Sequence, residues 1–488
     1  MNKVELDRSR PTVGLRIGKH VLFEGSGGIY SHIDPTTGRP DREIPLAGPE
    51  EIDRAVEIAH QAHLRWRDTR PAERRRLLLR LADLMEANRD EFIRLAVLDN
   101  GTPVKTAKDL FTLPLEWTRY YAGAADKLQG RVASSFGPDG EFSYELPQPY
   151  GVIGIIITWN APMGSIGMKV PAALAAGNTV VIKPSEFTPF AADLFGALAE
   201  EAGFPEGVIN IVPGTAAAGA RLVEHPLVKK ISFTGGPSTA KLILRACAEQ
   251  MKPAVMELGG KAAYIIFDDA DIDAAVTWGT SRAVSTLAGQ TCGSPARMLV
   301  QRNIYDEVVD RAVKAASSVI VGDPFDAATD VGPVINDAAL NRISQLTQRA
   351  TQDGATLAHG GRRLTGDGLA GGYFLEPTVL AGVDPRSEIA QTEVFGPVLS
   401  VIPFDSEEDA IAIANATPYG LVSYIQTNDL RRAHRVAERL EAGVTLINGA
   451  PSMMPNRSYG GLGLSGYGRE GGPEGLSEFL RVKTIAIT

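Results

Sequence analysis

From residue 150 onward the sequence alternates short β-branched runs with stretches of helical periodicity, and this restricts the chain to an α/β fold built on parallel sheet. Residues 152–157, 180–182, 208–211, 231–233 and 265–267 read as buried strands, and helix patterns at 190–202 and 239–250 lie between them. The style repeats over 297–450, with strands at 298–300, 398–404 and 444–447 and helix patterns at 305–319 and 407–416. Two α/β units follow. Residues 50–98 carry helical spacing instead: Ile52, Val56, Ala59 and Ala62, then, after Pro71, Leu77, Leu78, Leu81 and Leu84. The basic cluster Arg74, Arg75 and Arg76 reads as a solvated face of this helix. Stretches rich in Gly and Pro at 322–336, 361–377 and 449–473 read as loops, where binding and catalytic groups tend to sit.

The 488 residues allow two or three domains, and 44% hydrophobic with 22% charged residues is ordinary for a globular chain. A net charge of −9 argues against a nucleic-acid binder, and no apolar run is long enough for a membrane helix. Only two cysteines, Cys247 and Cys292, are present, which excludes a disulfide scaffold and a cysteine-rich metal site. With no apolar signal segment in its charged N-terminus, the chain is expected to be cytoplasmic and reduced. The two thiols are then either packing or chemistry. Cys247 lies in a helix pattern among Leu242, Leu244 and Ala248 and reads as packing. Cys292 sits in the small-residue loop 288–293, where spacing alone leaves packing and nucleophile equally open. His60 and His63 share a helix face, but without a third ligand they read as surface residues and no metal site is expected.

One G-x-G-x-x-G occurs, at Gly466, Gly468 and Gly471. No strand runs into it and Pro473 stands where a helix should open, so it is a poor dinucleotide turn. A better ligand candidate is the strand end Phe233-Thr234 running into Gly235-Gly236, with a helix pattern after Pro237; a plain strand–turn–helix explains it equally well. Lys183-Pro184-Ser185-Glu186 also follows a strand, and there too an ordinary polar loop is the competing reading.

Taken together, the segments resemble the NAD(P)-dependent aldehyde dehydrogenase superfamily over roughly residues 20–485. Thr158-Trp159-Asn160-Ala161-Pro162 is similar to its P-W-N-F-P element, 183–186 to its cofactor loop and 233–236 to its F-T-G-S turn. Glu257-Leu258-Gly259-Gly260-Lys261 resembles the general-base motif and Gly289-Gln290-Thr291-Cys292 the nucleophile loop. Glu393-Val394-Phe395-Gly396-Pro397 and 465–470 match two further elements, which removes the decoy fingerprint.

The resemblance implies two Rossmann-type parallel-sheet domains with a small β oligomerisation element. Residues 1–128 and 149–258 would bind NAD, 259–455 would carry the nucleophile, and 129–148 with 478–488 would pair as oligomerisation strands of a homodimer or homotetramer. It also implies the chemistry. Cys292 attacks an aldehyde, and Asn160 with the Cys292 backbone N–H holds the oxyanion. After hydride loss a thioester remains, which Glu257 hydrolyses by activating water. Lys183, Glu186 and Glu393 would hold the cofactor riboses, Phe395 would pack near the nicotinamide, and Ile156, Thr158, Trp159, Ser185, Phe233, Thr234, Gly235, Gly236, Ser238, Leu258 and Gly259 would complete the cofactor site. Lys183 is counted among the catalytic residues as well. Ala161, Ser165, Met168, Thr291, Gly293, Met453 and Tyr459 would line the substrate tunnel.

Glu257 favours hydrolysis over transfer to another thiol, and Glu186 favours NAD over NADP, with NADP as the tolerated alternative. Two departures from the family pattern fall in the turn: Gly236 stands for the usual serine and Ala240 for a later glycine. A third falls in the tunnel, where Ala161 replaces a bulky aromatic, so the expected substrate is a bulky aromatic or terpenoid aldehyde. Competing readings are a semialdehyde or small aliphatic aldehyde dehydrogenase, a non-redox thioester hydrolase, and a catalytically silent binding protein on the same fold.

Overall fold

The computed structural model describes residues 7–133, 141–366, 368–449 and 453–487. An eight-stranded sheet runs in the order His20–Leu22, Leu15–Ile17, Ile209–Ile211, Thr179–Lys183, Val152–Ile156, Val228–Gly235, Ala254–Leu258 and Gly466–Tyr467, its five central strands parallel. A seven-stranded sheet runs Thr356–His359, Thr378–Ala381, Val398–Phe404, Arg297–Gln301, Ala263–Ile266, Val422–Gln426 and Val444–Ile447, parallel except at its first pair.

Both sheets are covered on two faces, which is why their strands are continuous β-branched runs rather than alternating ones. In strand Val152–Ile156, Val152 and Ile156 pack with Ile52, Val56, Leu222 and Ile243. Ile153 and Ile155 point the other way, into a core with Leu78, Trp117, Ile166 and Phe195. The second sheet divides likewise. Ile265, Leu299 and Ile402 pack with Leu340, Ile343 and Leu346 of helix Asp337–Gln352. Tyr264, Met298 and Val401 face Val276 and Val308 on helices Ile272–Val284 and Tyr305–Ser317.

The chain passes from one sheet to the other between Leu258 and Ala263. Consequently the C-terminal edge of the first sheet confronts the N-terminal edge of the second. The segments after Ile156, Lys183, Gly235 and Leu258 and those before Arg297 and Val398 meet at that seam. A third sheet stands apart, pairing Phe142–Pro149 antiparallel with Leu480–Ile487 and with Arg131–Ala133. Of the strands expected at 129–148 and 478–488, residues 134–140 and 488 lie outside the described residues, as do 450–452 of the loop expected at 449–473.

Two surface readings need correction. Arg74 is buried, its Nε donating to Ala175 O at 3.1 Å and its Nη1 to Thr69 O at 2.6 Å, so it ties its helix to helix Pro162–Ala175. His63 is buried too, and desolvation with nearby Arg67 pushes its pKa down to about 4, which keeps it neutral. Periodicity placed both on a helix but could not show which neighbours cover it. No described helix is long and apolar enough to cross a membrane. The G-x-G-x-x-G begins inside edge strand Gly466–Tyr467, antiparallel to Ala254–Leu258, and, against expectation, a short helix Gly472–Ser477 opens after it with Pro473 in its first turn, where the missing N–H is no loss.

Candidate active site

The loop that carries Cys292 is held in an unfavourable backbone conformation. Leu287 and Ala288 both have left-handed φ, 50° and 53°, and Gly289 follows at 70°. Such a conformation costs a non-glycine residue on the order of 1–3 kcal/mol, so its surroundings must enforce it. Gln290 does so from a buried position, its Nε2 donating to Leu287 O at 3.0 Å and its Oε1 accepting from Ile335 N at 3.0 Å. Cys292 emerges half-buried from this turn, its Sγ 3.9 Å from Tyr459 Oη. Burial, then the carboxylates of Glu393 and Glu257, pushes the thiol pKa up to about 12. Cys247, by contrast, is 2% exposed in the core.

Asn160 lies beyond the strand Val152–Ile156. Its Nδ2 donates to Gln290 O at 2.7 Å and its Oδ1 accepts from Thr158 Oγ1 at 2.8 Å. An amide has two N–H groups, so one remains for a ligand. Asn100 fixes the backbone here, its Nδ2 donating to Trp159 O at 3.0 Å and Asn160 O at 3.1 Å. Nothing local marks this role, because Asn100 ends a helix 60 positions upstream.

Glu257, on strand Ala254–Leu258, is 4% exposed, and among the described residues its Oε1 has no hydrogen-bond partner. Burial, then the nearby Glu470 charge, holds its pKa well above the carboxylate range, against the pull of Lys169 and Arg469. Glu470 accepts a hydrogen bond from the fully buried Lys169, whose Nζ also donates to Ser232 Oγ at 3.1 Å. This buried ion pair joins residues 301 positions apart, so no local pattern could have revealed it.

Two glycines bring the remaining groups close. A Cβ at Gly260 would sit 2.4 Å from Cys292 O, and one at Gly259 would sit 2.0 Å from the Glu393 carboxylate. That carboxylate accepts from Gly260 N at 2.9 Å, and burial pushes its pKa up to about 7. Phe395, at φ 50°, meets Trp159 edge-on with ring centroids 5.4 Å apart. Ser465, absent from the expected site, donates from Oγ to Gly259 O at 2.7 Å and thereby fixes the turn after Glu257.

Along the first sheet's C-terminal edge, strand Val228–Gly235 runs into Gly236, which precedes helix Pro237–Ala248 without a side-chain cap. A Cβ at Gly236 would meet only Ser238 Oγ, at 3.9 Å, so the backbone there is open to a ligand, and the helix N-terminus favours an anion. Ala240 is buried, in the position expected for a glycine. Lys183 ends strand Thr179–Lys183, which Val152–Ile156 separates from Val228–Gly235. Its Nζ donates to Pro184 O at 2.9 Å and Gly214 O at 2.6 Å, and burial pushes its pKa down to about 8. Glu186 follows, half-exposed, accepting from Ser185 Oγ at 3.3 Å. His32 anchors the loop at Phe187 O, 3.1 Å from its Nε2. Glu186 and the turn at Gly236 thus follow the C-terminal ends of strands in one sheet, the edge where open α/β sheets bind ligands.

A cavity of about 190 Å³ opens at the seam. Cys292, Asn160 and Glu257 line it together, as do all seven expected substrate residues, Ala161, Ser165, Met168, Thr291, Gly293, Met453 and Tyr459. Thr158, Thr234 and Leu258 reach it from the cofactor side. Lys183, Ser185, Glu186, Gly235, Gly236 and Ser238 do not line it, and neither do Glu393 and Phe395.

The model of the aldehyde dehydrogenase family matches residues 23–485. The chain belongs to that family. Its fold is the aldehyde dehydrogenase fold. It superposes on betaine aldehyde dehydrogenase from Staphylococcus aureus, solved in complex with NAD+, with a TM-score of 0.95 at 34% identity, covering 97% of this chain and 94% of that one. An aldehyde dehydrogenase of Enchytraeus buchholzi is 40% identical over 468 residues, 95% of this chain and 93% of the relative. The mitochondrial 10-formyltetrahydrofolate dehydrogenase of Mus musculus is 38% identical over 470 residues, 94% of this chain, which spans about half (50%) of that longer protein. As an aldehyde dehydrogenase, the chain is an oxidoreductase, and the cavity at its seam is the candidate site for the aldehyde.

Proposed function

We propose that this aldehyde dehydrogenase oxidises a bulky aldehyde to the carboxylic acid with NAD. The observation that carries the reading is the meeting of a thiol, an amide and a buried acid, from three separate segments, around one cavity. In this mechanism Cys292 ionises and attacks the carbonyl carbon, giving a thiohemiacetal oxyanion. The free N–H of Asn160 and the Cys292 backbone N–H stabilise that charge. When bound, NAD would supply the acceptor for the hydride lost from the thiohemiacetal carbon, and Lys183, Glu186, Glu393 and the turn at Gly235-Gly236 would hold it. The thioester left on Cys292 is hydrolysed when Glu257 takes a proton from water. Burial and Glu470 raise the Glu257 pKa, so the carboxylate form that takes this proton grows with pH. The Glu470–Lys169 pair keeps a compensating charge within reach.

NAD is favoured by the Glu186 carboxylate, which would repel a 2′-phosphate, and by the NAD+ complex of the S. aureus relative. The bulky substrate is supported by the cavity. An engineered hole of about 150 Å³ suffices for benzene. Ala161 leaves this one open, and Phe92, Phe111, Leu110 and Met163 make its wall apolar. A distal carboxylate is the second reading, favoured by Arg282, which lines the same cavity with its guanidinium over the Trp278 ring at 5.6 Å. Assembly through the third sheet is supported by the exposed apolar residues Val132, Phe142, Leu146, Val482 and Ile487 on it. A cytoplasmic setting is consistent with the two free thiols.

NADH absorbance against an aldehyde panel tests the reading, with Cys292→Ala as control. The expected order is benzaldehyde above acetaldehyde in kcat/KM, and the reverse order would remove the bulky-substrate claim. A 4-carboxybenzaldehyde preference lost in Arg282→Ala would favour the distal carboxylate.

A further inference from the structure

The Tyr459 hydroxyl is a buried polar group whose placement the substrate-wall role leaves unexplained. Tyr459 is 3% exposed, and its backbone pairs with Glu470 through N–H···O contacts of 2.6 and 2.7 Å, so the backbone that carries the ring is held on both sides. Among the described residues the only hydrogen-bonding partner of its hydroxyl is Cys292 Sγ, at 3.9 Å. A Cβ at Gly293 would lie 3.8 Å from the same oxygen, which places the phenol oxygen in contact range of the nucleophile loop. A second buried phenol, Tyr424 on strand Val422–Gln426, donates instead to Gly293 O at 2.6 Å. The two tyrosines thus hold the side chain and the backbone of one loop separately.

We infer that the Tyr459 hydroxyl donates a hydrogen bond to the Cys292 sulfur and stabilises it as the thiolate. This rests on the reading of Cys292 as the nucleophile. The groups facing the pair are Glu257 from strand Ala254–Leu258, Glu393 from the segment before Val398, and Tyr424. The first two are acids whose negative charge opposes a thiolate, so a donor is what the sulfur lacks. Burial, then the charges of Cys292 and Glu257, holds the Tyr459 phenol above its ordinary pKa, and it therefore stays protonated and donates. Contacts to catalytic groups are commonly long before ligands bind, and an ionised sulfur draws a donor closer.

The test is the alkylation rate of Cys292 by iodoacetamide between pH 7 and 9, read by peptide mass so that Cys247 is scored apart. Losing one charge-assisted bond lowers the thiolate fraction about tenfold. The less acidic thiol is intrinsically about threefold more nucleophilic, so Tyr459→Phe should alkylate about threefold more slowly. Tyr424→Phe should leave the pH dependence in place. A second probe is 3-fluorotyrosine at 459, a stronger donor, which should alkylate faster than the native protein. Coincident pH curves for the native protein and Tyr459→Phe would overturn the inference, as would equal slowing in both phenylalanine variants. This readout needs no aldehyde, so it separates from a failure of the proposed reaction, which is read by NADH formation that survives Cys292→Ala.

Discussion

Asn160→Ala is the perturbation whose effect the geometry defines best. The side chain makes two hydrogen bonds, to Gln290 O at 2.7 Å and from Thr158 Oγ1 at 2.8 Å, and it offers one further N–H to the cavity. Removing that donor takes away one of two groups on the oxyanion, a loss of about 10²–10³ in rate, or roughly 3–4 kcal/mol. Removing the two structural bonds costs about 1–3 kcal/mol of stability, largely because Gln290 O is left without its donor. The two effects separate by experiment. Single-turnover NADH formation at saturating NAD and aldehyde should fall at least a hundredfold, while the melting temperature drops by only a few degrees. Alkylation of Cys292 should continue, because the thiol itself is untouched. A single-turnover rate within fivefold of the native protein would refute the assignment of the amide to the oxyanion.

Glu257→Gln should keep a burst of about one NADH per site and then turn over about 10²–10⁴ times more slowly, as quenched-flow would show. In the native protein the deacylation rate should rise with pH, since the base works only once deprotonated and its pKa is held high by burial and by Glu470. Glu470→Gln removes a like charge and should shift that rise to lower pH, which a pH–rate profile reads directly. Ala161→Phe narrows the cavity and should lower kcat/KM for benzaldehyde about tenfold or more while sparing acetaldehyde. Glu186→Ala should raise kcat/KM with NADP about tenfold relative to NAD, checked by initial rates with both cofactors.

The framework was legible where burial is uniform along the chain. Helix Phe190–Ala202 and strand Val398–Phe404 have the bounds that periodicity gave, because each has a clear apolar pattern and sharp ends. Strand Ala254–Leu258 was read only as a motif, since Glu257 breaks its apolar run, and that break marks the candidate base. Helix Asp337–Gln352 went unread although Leu340, Ile343 and Leu346 have helical spacing, because polar residues make up most of its exposed face. In the site, the motif residues Cys292, Asn160 and Glu257 were legible one at a time. Their supports were not. Asn100 and Lys169 act across tertiary contacts that join distant segments, and nothing in their own neighbourhoods marks them; Ser465 and Glu470 stand in the matched segment 465–470, but their partners Gly259 and Lys169 are set by tertiary contacts alone.

The central claim, covalent catalysis by Cys292 with Glu257 as the hydrolytic base, is tested most directly by trapping the acyl-enzyme. Glu257→Gln mixed with NAD and benzaldehyde, quenched in acid and digested, should yield a benzoyl mass on the peptide that carries Cys292, in an amount matching the NADH burst. An NADH burst with no acyl group on Cys292, or aldehyde-dependent NADH formation that survives Cys292→Ala, would contradict it.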